Sequence, residues 1–417
     1  MRTESTVIVG ASVGGVHTAR ALRMAGYSGR IVLVGDEPIL PYDKPPLSKS
    51  ILAGTQSSND ISLLTRAQSE ELGIELSLGN AATRLHVADQ QVELDDGGRI
   101  SYQHLVVSTG ARARPSPWGK PDGVHVVRTL EDSHRLRQDL EHGGRLLVVG
   151  GGFIGAETAA TARRMDLAVS IVEPNRVPME RVLGHEIGER FLRLHQRHGV
   201  ETVFGVEVQE LRGRRGNFQL RLTDGRRLDS DYIVLGIGAI PNDQWLASSG
   251  VQIDNGVVCD KHLRAVGAPN IYAVGDVARW QNPRRKQLTR MEHWTNAIEQ
   301  SAVVAHNITY PEDLTAHAAV EYVWSDQYDW KIQVVGIPGI TELRGLEIVE
   351  DTTTGQFAAL YSSDDQTLSG LVVVNWPRAL VEGRRALDND TPYPEFKQRL
   401  ERLATAAQHR TKEGVGP

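Results

Sequence analysis

Hydrophobic and polar positions along the chain repeat one arrangement twice. Val7-Ile8-Val9 is an apolar run that stops at Gly10-Ala11-Ser12-Val13-Gly14-Gly15. Apolar positions then return at helical spacing (Val16, Ala19, Leu22, Met24), and a second run follows at Ile31-Val32-Leu33-Val34. The same order recurs from Leu146-Leu147-Val148-Val149 through Gly150-Gly151-Gly152-Phe153-Ile154-Gly155, a helix predicted over Ala156 to Met165, and a strand over Ala168 to Val172. Apolar runs bounded by glycine read as strands covered on both faces, and a strand–turn–helix–strand connection makes neighbouring strands parallel. Two such units predict an α/β chain with two doubly wound, Rossmann-type sheets.

After each unit the pattern shortens to alternation with polar turns, as in Gln91 to Leu94 before Asp95-Asp96-Gly97-Gly98 and Phe218 to Leu222 before Thr223-Asp224-Gly225. These predict antiparallel excursions from each sheet. From about Ala316 the glycine-turn logic ends. Alternating strands (Lys331 to Gly336, Leu368 to Val374) and a helix from Pro394 to Ala407 predict a C-terminal α+β domain, with a frayed tail from His409 to Pro417. The expected division is residues 1–112 and 242–315 for one nucleotide-binding domain, 113–241 for the second, and 316–417 for the last.

Composition narrows the chemistry. A formal charge of −6 over 417 residues argues against a nucleic-acid binder, which needs a basic surface. No apolar run has the length to span a bilayer, and Met1-Arg2-Thr3-Glu4-Ser5 leads directly into the first strand, so a cytoplasmic location without membrane attachment is expected. The single cysteine, Cys259, rules out a dithiol relay and reads as a small buried residue in a strand. His195 and His198 lie three apart on a helix predicted over His185 to His198; an exposed helix face accounts for them, and no metal is expected.

A pyrophosphate is held by backbone N–H groups and a helix N-terminus. In such a turn the first glycine bends the chain, the second lets the backbone approach the phosphates, and the third lets helix meet strand. Gly150, Gly152 and Gly155 fit all three positions; Gly10 and Gly15 fit two, with Ser12 in the middle place. Glu173, ending the second strand of the later unit, is spaced to accept from a ribose 2′-hydroxyl and to repel a 2′-phosphate, which favours NADH over NADPH. Arg176 nearby tempers that preference. In the first unit, Asp36 or Glu37 takes the corresponding place.

Five further segments carry a resemblance. Ile271-Tyr272-Ala273-Val274-Gly275-Asp276 and Val107-Ser108-Thr109-Gly110-Ala111 resemble the late FAD motif and the crossover segment of flavoproteins with two dinucleotide sites. Pro41-Tyr42-Asp43-Lys44-Pro45-Pro46-Leu47-Ser48-Lys49, Arg128-Thr129-Leu130-Glu131-Asp132 and Val323-Trp324-Ser325-Asp326-Gln327-Tyr328 resemble the ferredoxin reductases of bacterial oxygenase systems, of the putidaredoxin reductase, rhodocoxin reductase and biphenyl-dioxygenase reductase type. The resemblance implies a glutathione-reductase-like fold, with an FAD domain interrupted by an NADH domain and followed by the C-terminal domain. It implies FAD contacts from Gly10, Ser12, Gly14, Gly15, Asp36, Glu37, Lys49, Ala82, Thr109, Gly110, Arg128, Gly275, Asp276 and Trp294. NADH contacts are expected from Gly150, Gly152, Phe153, Ile154, Gly155, Glu157, Glu173 and Gly238.

By the same resemblance, hydride from NADH enters a flavin and leaves as single electrons for a two-iron two-sulfur ferredoxin, which supplies a haem-thiolate monooxygenase or a Rieske dioxygenase. Lys49 would lie near flavin N5 and Glu157 near the nicotinamide, as an ion pair. Trp324 would stand at the flavin edge, with Trp294 and Trp330 in that neighbourhood. The basic run Arg279 to Lys286 followed by Arg290, with Arg284, Arg285, Lys286 and Arg290 foremost, would dock an acidic ferredoxin. Relatives with a redox cysteine near Tyr42-Asp43-Lys44 are argued against, since none is present there. A rubredoxin or monodehydroascorbate reductase, and a slow-turnover NADH-responsive interaction protein, remain as alternatives.

Overall fold

A strand that is apolar on both faces has to be covered on both, and helices following each glycine turn do this. In the computed structural model, which describes residues 4–338, 345–351, 354–364 and 366–412, the chain separates into two units. One comprises Met1–Pro46, Gln56–Arg114 and Ala239–Ala319; the other comprises Leu47–Thr55, Pro115–Gly238 and Val320–Pro417. The short stretch carrying Lys49, expected with the first nucleotide domain, therefore packs with the second unit.

In the first unit, parallel strands run in the spatial order Ala268–Ala273, His104–Val107, Ser5–Val9, Arg30–Gly35 and Ile74–Leu78. Val7, Ile8, Ile31, Leu33, Leu105 and Val106 are wholly buried. The chain winds from Ser5–Val9 toward Arg30–Gly35 on one side, while His104–Val107 lies on the other. The winding reverses at the first strand, and ligand crevices open at the carboxyl end of such a reversal. Helix Val13–Met24 follows the glycine turn and packs along helix Trp294–Thr309, where the Ser301 hydroxyl donates to the Gly14 carbonyl at 2.9 Å.

The second unit repeats the scheme. Parallel strands lie in the order Glu201–Phe204, Ala168–Glu173, Arg145–Val149, Tyr232–Leu235 and Val124–His125. Strand Asn217–Leu222 alternates as its sequence predicts, with Phe218, Leu220 and Leu222 buried in a three-stranded antiparallel excursion. The C-terminal segment forms an antiparallel five-stranded sheet. One face (Val335, Leu360, Leu371, Val373) is covered by Trp376, Leu387, Phe396 and Leu400 of the last two helices and their approach. The other face (Ile332, Val334, Phe357, Tyr361, Val372) packs on Leu183, Ile187 and Phe191 of helix Glu180–Arg197. That shared core joins the C-terminal sheet to the second nucleotide fold.

Local differences from the sequence pattern have physical causes. The helix expected from His185 starts at Glu180 and kinks at Gly184 (φ 77°). His195, expected on an exposed face, is fully buried. The hairpin turn at Tyr328 covers that face: the Tyr328 hydroxyl lies 2.9 Å from His195 Nδ1, and burial lowers the His195 pKa to about 4. His198 stacks on Tyr328 and reaches Asp329 at 3.0 Å. The described residues hold no cluster arranged for a metal, and no described helix is long and apolar enough to cross a membrane. The last helix spans Tyr393–Lys412, so the tail expected from His409 begins as helix; residues 413–417 lie outside the described residues.

Candidate functional site

Each glycine turn is closed to side chains at its first and third glycines. Gly10 has φ +118°, and a Cβ there would stand 2.2 Å from the Ser108 carbonyl oxygen on the neighbouring strand end. Gly150 has φ +108°, with a Cβ position 2.3 Å from the Gly236 carbonyl oxygen. A Cβ on Gly15 or Gly155 would meet the carbonyl oxygen of Gly10 or Gly150 at 2.0 and 2.2 Å, so helix and turn touch backbone to backbone. The middle position differs. Gly152 has open space where its Cβ would be, and Ser12 adopts an ordinary extended φ of −131°, so serine there costs no strain. The Ser12 hydroxyl is buried and makes no hydrogen bond among the described residues.

In the first unit, three expected segments meet at the carboxyl ends of adjacent parallel strands. The Ser108 hydroxyl lies 3.0 Å from the carbonyl oxygens of both Val9 and Gly10, which share its single proton. A Cβ on Gly14 would lie 3.2 Å from Val274 Cγ1, just before Gly275 and Asp276. The Gly275 N–H donates to Gln300 Oε1 at 2.7 Å. Thr109 donates to the Asn242 carbonyl at 2.7 Å, and Gly110 follows with φ +63°. At the next strand end, Gly79 and Asn80 donate to the carbonyls of Glu37 and Gly35, tying the approach to Ala82 to the Asp36 corner. Register makes Gly35, not Asp36, the counterpart in the first unit of Glu173 in the second, because Val9 pairs with Val34 as Val149 pairs with Val172. Asp36 is exposed, whereas Glu37 accepts from the Tyr42 hydroxyl at 2.7 Å and pairs with Lys44 at 3.5 Å. Trp294 Nε1 donates to Asp43 at 2.7 Å.

In the second unit, Glu173 is 7 % exposed and clamped. The Gly151 N–H donates to Oε2 at 2.7 Å, while the Asn175 backbone N–H donates to Oε1 at 2.9 Å and its side-chain amide also bonds Oε1. Gly238 (φ +103°) follows Gly236 beside the turn, and Ile154 is 43 % exposed at the helix start after Phe153. Glu157, on the same helix, is 3 % exposed. It accepts from Ser48 at 2.6 Å through Oε2, and from Ser325 at 2.7 Å and Lys49 Nζ at 3.0 Å through Oε1. The Lys49–Glu157 pair thus forms. Arg128 and Trp324 also belong to this unit, Trp324 stacking on Tyr322.

Two expected groupings dissolve. Trp330 does not share the setting of Trp324. It meets Phe191 and Phe357 edge-on, on the sheet face opposite Tyr322 and Trp324, because the two tryptophans occupy opposite parities of paired strands. Arg290 is not a surface docking charge. It donates to the Asp276 carbonyl at 3.0 Å and pairs with Glu292 at 2.8 Å, since its strand turns inward beside the late motif. Arg279 pairs with Asp254. Arg284 and Lys286 are exposed at the tip of the hairpin of Ala278–Asn282 and Gln287–Arg290, with Arg285 half-buried between them.

Sequence reasoning did not single out Ser48, Ser325, Gln327 or Gln300. Small or amide side chains carry no periodic signal, and only the packed fold shows them buried.

The family model described as pyridine nucleotide-disulphide oxidoreductase matches residues 4–301. The chain belongs to that family. A reductase C-terminal model matches residues 322–399. Among curated relatives, rhodocoxin reductase of Rhodococcus erythropolis is 34% identical over 93% of this chain and 90% of its own. Putidaredoxin reductase of Pseudomonas putida is 36% identical over 80% of each. In a solved covalent complex of putidaredoxin reductase with putidaredoxin, the matched chain superposes with TM-score 0.88 at 32% identity, covering 93% of this chain and 94% of that one. The disulphide in the family description has no counterpart in this oxidoreductase: Cys259 is the single cysteine, it is buried, and burial pushes its thiol pKa up.

Proposed function

We propose that this oxidoreductase binds FAD and NADH and passes electrons to a two-iron two-sulfur ferredoxin that supplies an oxygenase, either a haem-thiolate monooxygenase or a Rieske dioxygenase. The carrying observation is the doubled glycine turn, each copy closed to side chains by a neighbouring carbonyl, with a clamped carboxylate at the second copy alone. The relatives named as reductases of redoxin and dioxygenase systems support the choice of partner. We read residues 1–112 and 242–315 as the FAD domain, 113–241 as the NADH domain and 316–417 as the C-terminal domain, and assign the reaction to the cytoplasm, where NADH is made.

The residues fit the two dinucleotides. Around the first turn, the unpartnered Ser12 hydroxyl and Gln300 Nε2 are buried polar atoms of the kind a bound group satisfies. With Gly10, Gly14, Gly15, Thr109, Gly110, Asp276 and Trp294 they would hold FAD, and Lys49 and Arg128 would add cationic contacts. Gly150, Gly152, Gly155, Ile154 and Gly238 would hold the NADH pyrophosphate and ribose, with Glu173 accepting from the adenosine 2′-hydroxyl. When bound, the flavin supplies the conversion of a two-electron hydride into single electrons. Glu157 keeps Lys49 in place, and the Lys49 charge favours electron-rich states of a neighbouring ring.

Stopped-flow mixing of the FAD-loaded, NADH-reduced protein with oxidised ferredoxins tests the proposal. Fast flavin reoxidation coupled to ferredoxin reduction is expected from at least one two-iron two-sulfur ferredoxin. Reoxidation no faster than with oxygen across such ferredoxins, but fast with rubredoxin, would contradict the partner.

A further inference from the structure

Glu157 is a buried carboxylate whose position is decided by its donors, because a charge out of water keeps only the geometry its hydrogen bonds impose. Ser48 serves one oxygen; Ser325 and Lys49 share the other. Ser325 and Gln327 are both fully buried, and alternation along strand Tyr322–Gln327 puts them on the same face. Gln327 Nε2 donates to the Ser325 hydroxyl oxygen at 3.2 Å. With its oxygen accepting from the amide, the single Ser325 proton is directed to Glu157. Ser325 thus fixes the oxygen that Lys49 also engages.

We propose that Ser325, oriented by Gln327, is a positioning residue for Glu157 and through it for the Lys49 ammonium, so that a strand of the C-terminal segment governs hydride entry. The inference rests on the function proposed above for Lys49 and Glu157. Without the Ser325 proton, Glu157 loses one of the two donors on Oε1 and turns toward Ser48, and Lys49 is held more loosely. Ser325 touches neither nucleotide in this account; it acts on rate through the pair, not on NADH affinity.

The test compares Ser325→Ala, Ser325→Thr and Gln327→Leu in the FAD-loaded protein. Three quantities are read: the rate of flavin reduction at saturating NADH, the NADH concentration for half that rate, and the rate at which an amine-acylating reagent labels Lys49, followed by peptide mass spectrometry with Lys331 as internal control. Ser325→Ala is expected to slow reduction about tenfold, to change half-saturation less than about twofold, and to label Lys49 about threefold faster relative to Lys331. Threonine restores both, and Gln327→Leu moves both in the same direction by a smaller factor. Unchanged Lys49 labelling in Ser325→Ala overturns the proposal, whatever the rate does. If Ser325→Ala does not fold, Gln327→Leu decides by the same labelling criterion. A native protein that NADH does not reduce would instead contradict the proposed function, and the labelling comparison would still judge the positioning claim.

Discussion

Glu173 does two things with one carboxylate. It closes the glycine turn by taking the Gly151 N–H, and in the proposed NADH site it would also accept from the adenosine ribose 2′-hydroxyl. Asn175 holds it from the other side, and beyond Asn175 a cavity of about 450 Å³ is lined by Pro174, Asn175, Arg176, Glu180 and His185. Glu180 accepts from the Arg176 backbone N–H at 3.0 Å, and the Arg176 side chain lines the same cavity. Glu173→Ala is expected to lower kcat/KM for NADH about tenfold while kcat/KM for NADPH holds or rises. An equal fall with both nucleotides would show that Glu173 serves only the turn. This residue was legible in the sequence because strand period and the glycine turn fix the end of the second strand. Ser325 was not, because nothing along the chain marks a serine whose value lies in one buried proton.

At the level of elements, the two glycine turns separate fold from binding. Gly10→Ala puts a Cβ against a backbone carbonyl at positive φ and should destabilise the protein by ~2 kcal/mol or more, visible as a lowered melting temperature and lost flavin. Gly152→Val, entering open space, should leave the melting temperature nearly unchanged and weaken NADH binding about tenfold or more. Equal melting effects would refute this division. The hairpin tip carries the docking prediction. Reversing Arg284 and Lys286 to glutamate should slow ferredoxin association about tenfold at low salt, with the gap closing as ionic strength rises. A salt-independent effect would place docking elsewhere. Both parallel sheets were readable from the sequence, since their strands are continuous apolar runs. Helix Trp294–Thr309 was not, because its inward face carries Asn296, Gln300, Ser301 and Asn307, all buried polar residues that break the apolar period.

Across the whole molecule, three buried histidines link stability to acid. Burial lowers the pKa values of His195, His293 and His317 to about 4 each. In the unfolded chain they titrate near 6.5, so below that pH the unfolded state binds more protons and stability falls until about pH 4. Each contributes roughly 3 kcal/mol of loss over that window. The melting temperature should therefore drop steeply between pH 6.5 and 4, and His195→Gln should flatten part of the drop; an unaltered slope would contradict the burial argument. The pair of doubly wound folds could be anticipated from the repeat. The core that helix Glu180–Arg197 shares with the C-terminal sheet could not, since it depends on contacts between segments more than a hundred residues apart.

The most direct test is anaerobic titration of the purified, flavin-supplemented protein with NADH, followed by visible absorption. The expected result is a yellow protein retaining one FAD per chain and bleached by about one equivalent of NADH, with NADPH much slower. A colourless protein that takes up no flavin, or a flavin that NADH leaves oxidised, would contradict the account.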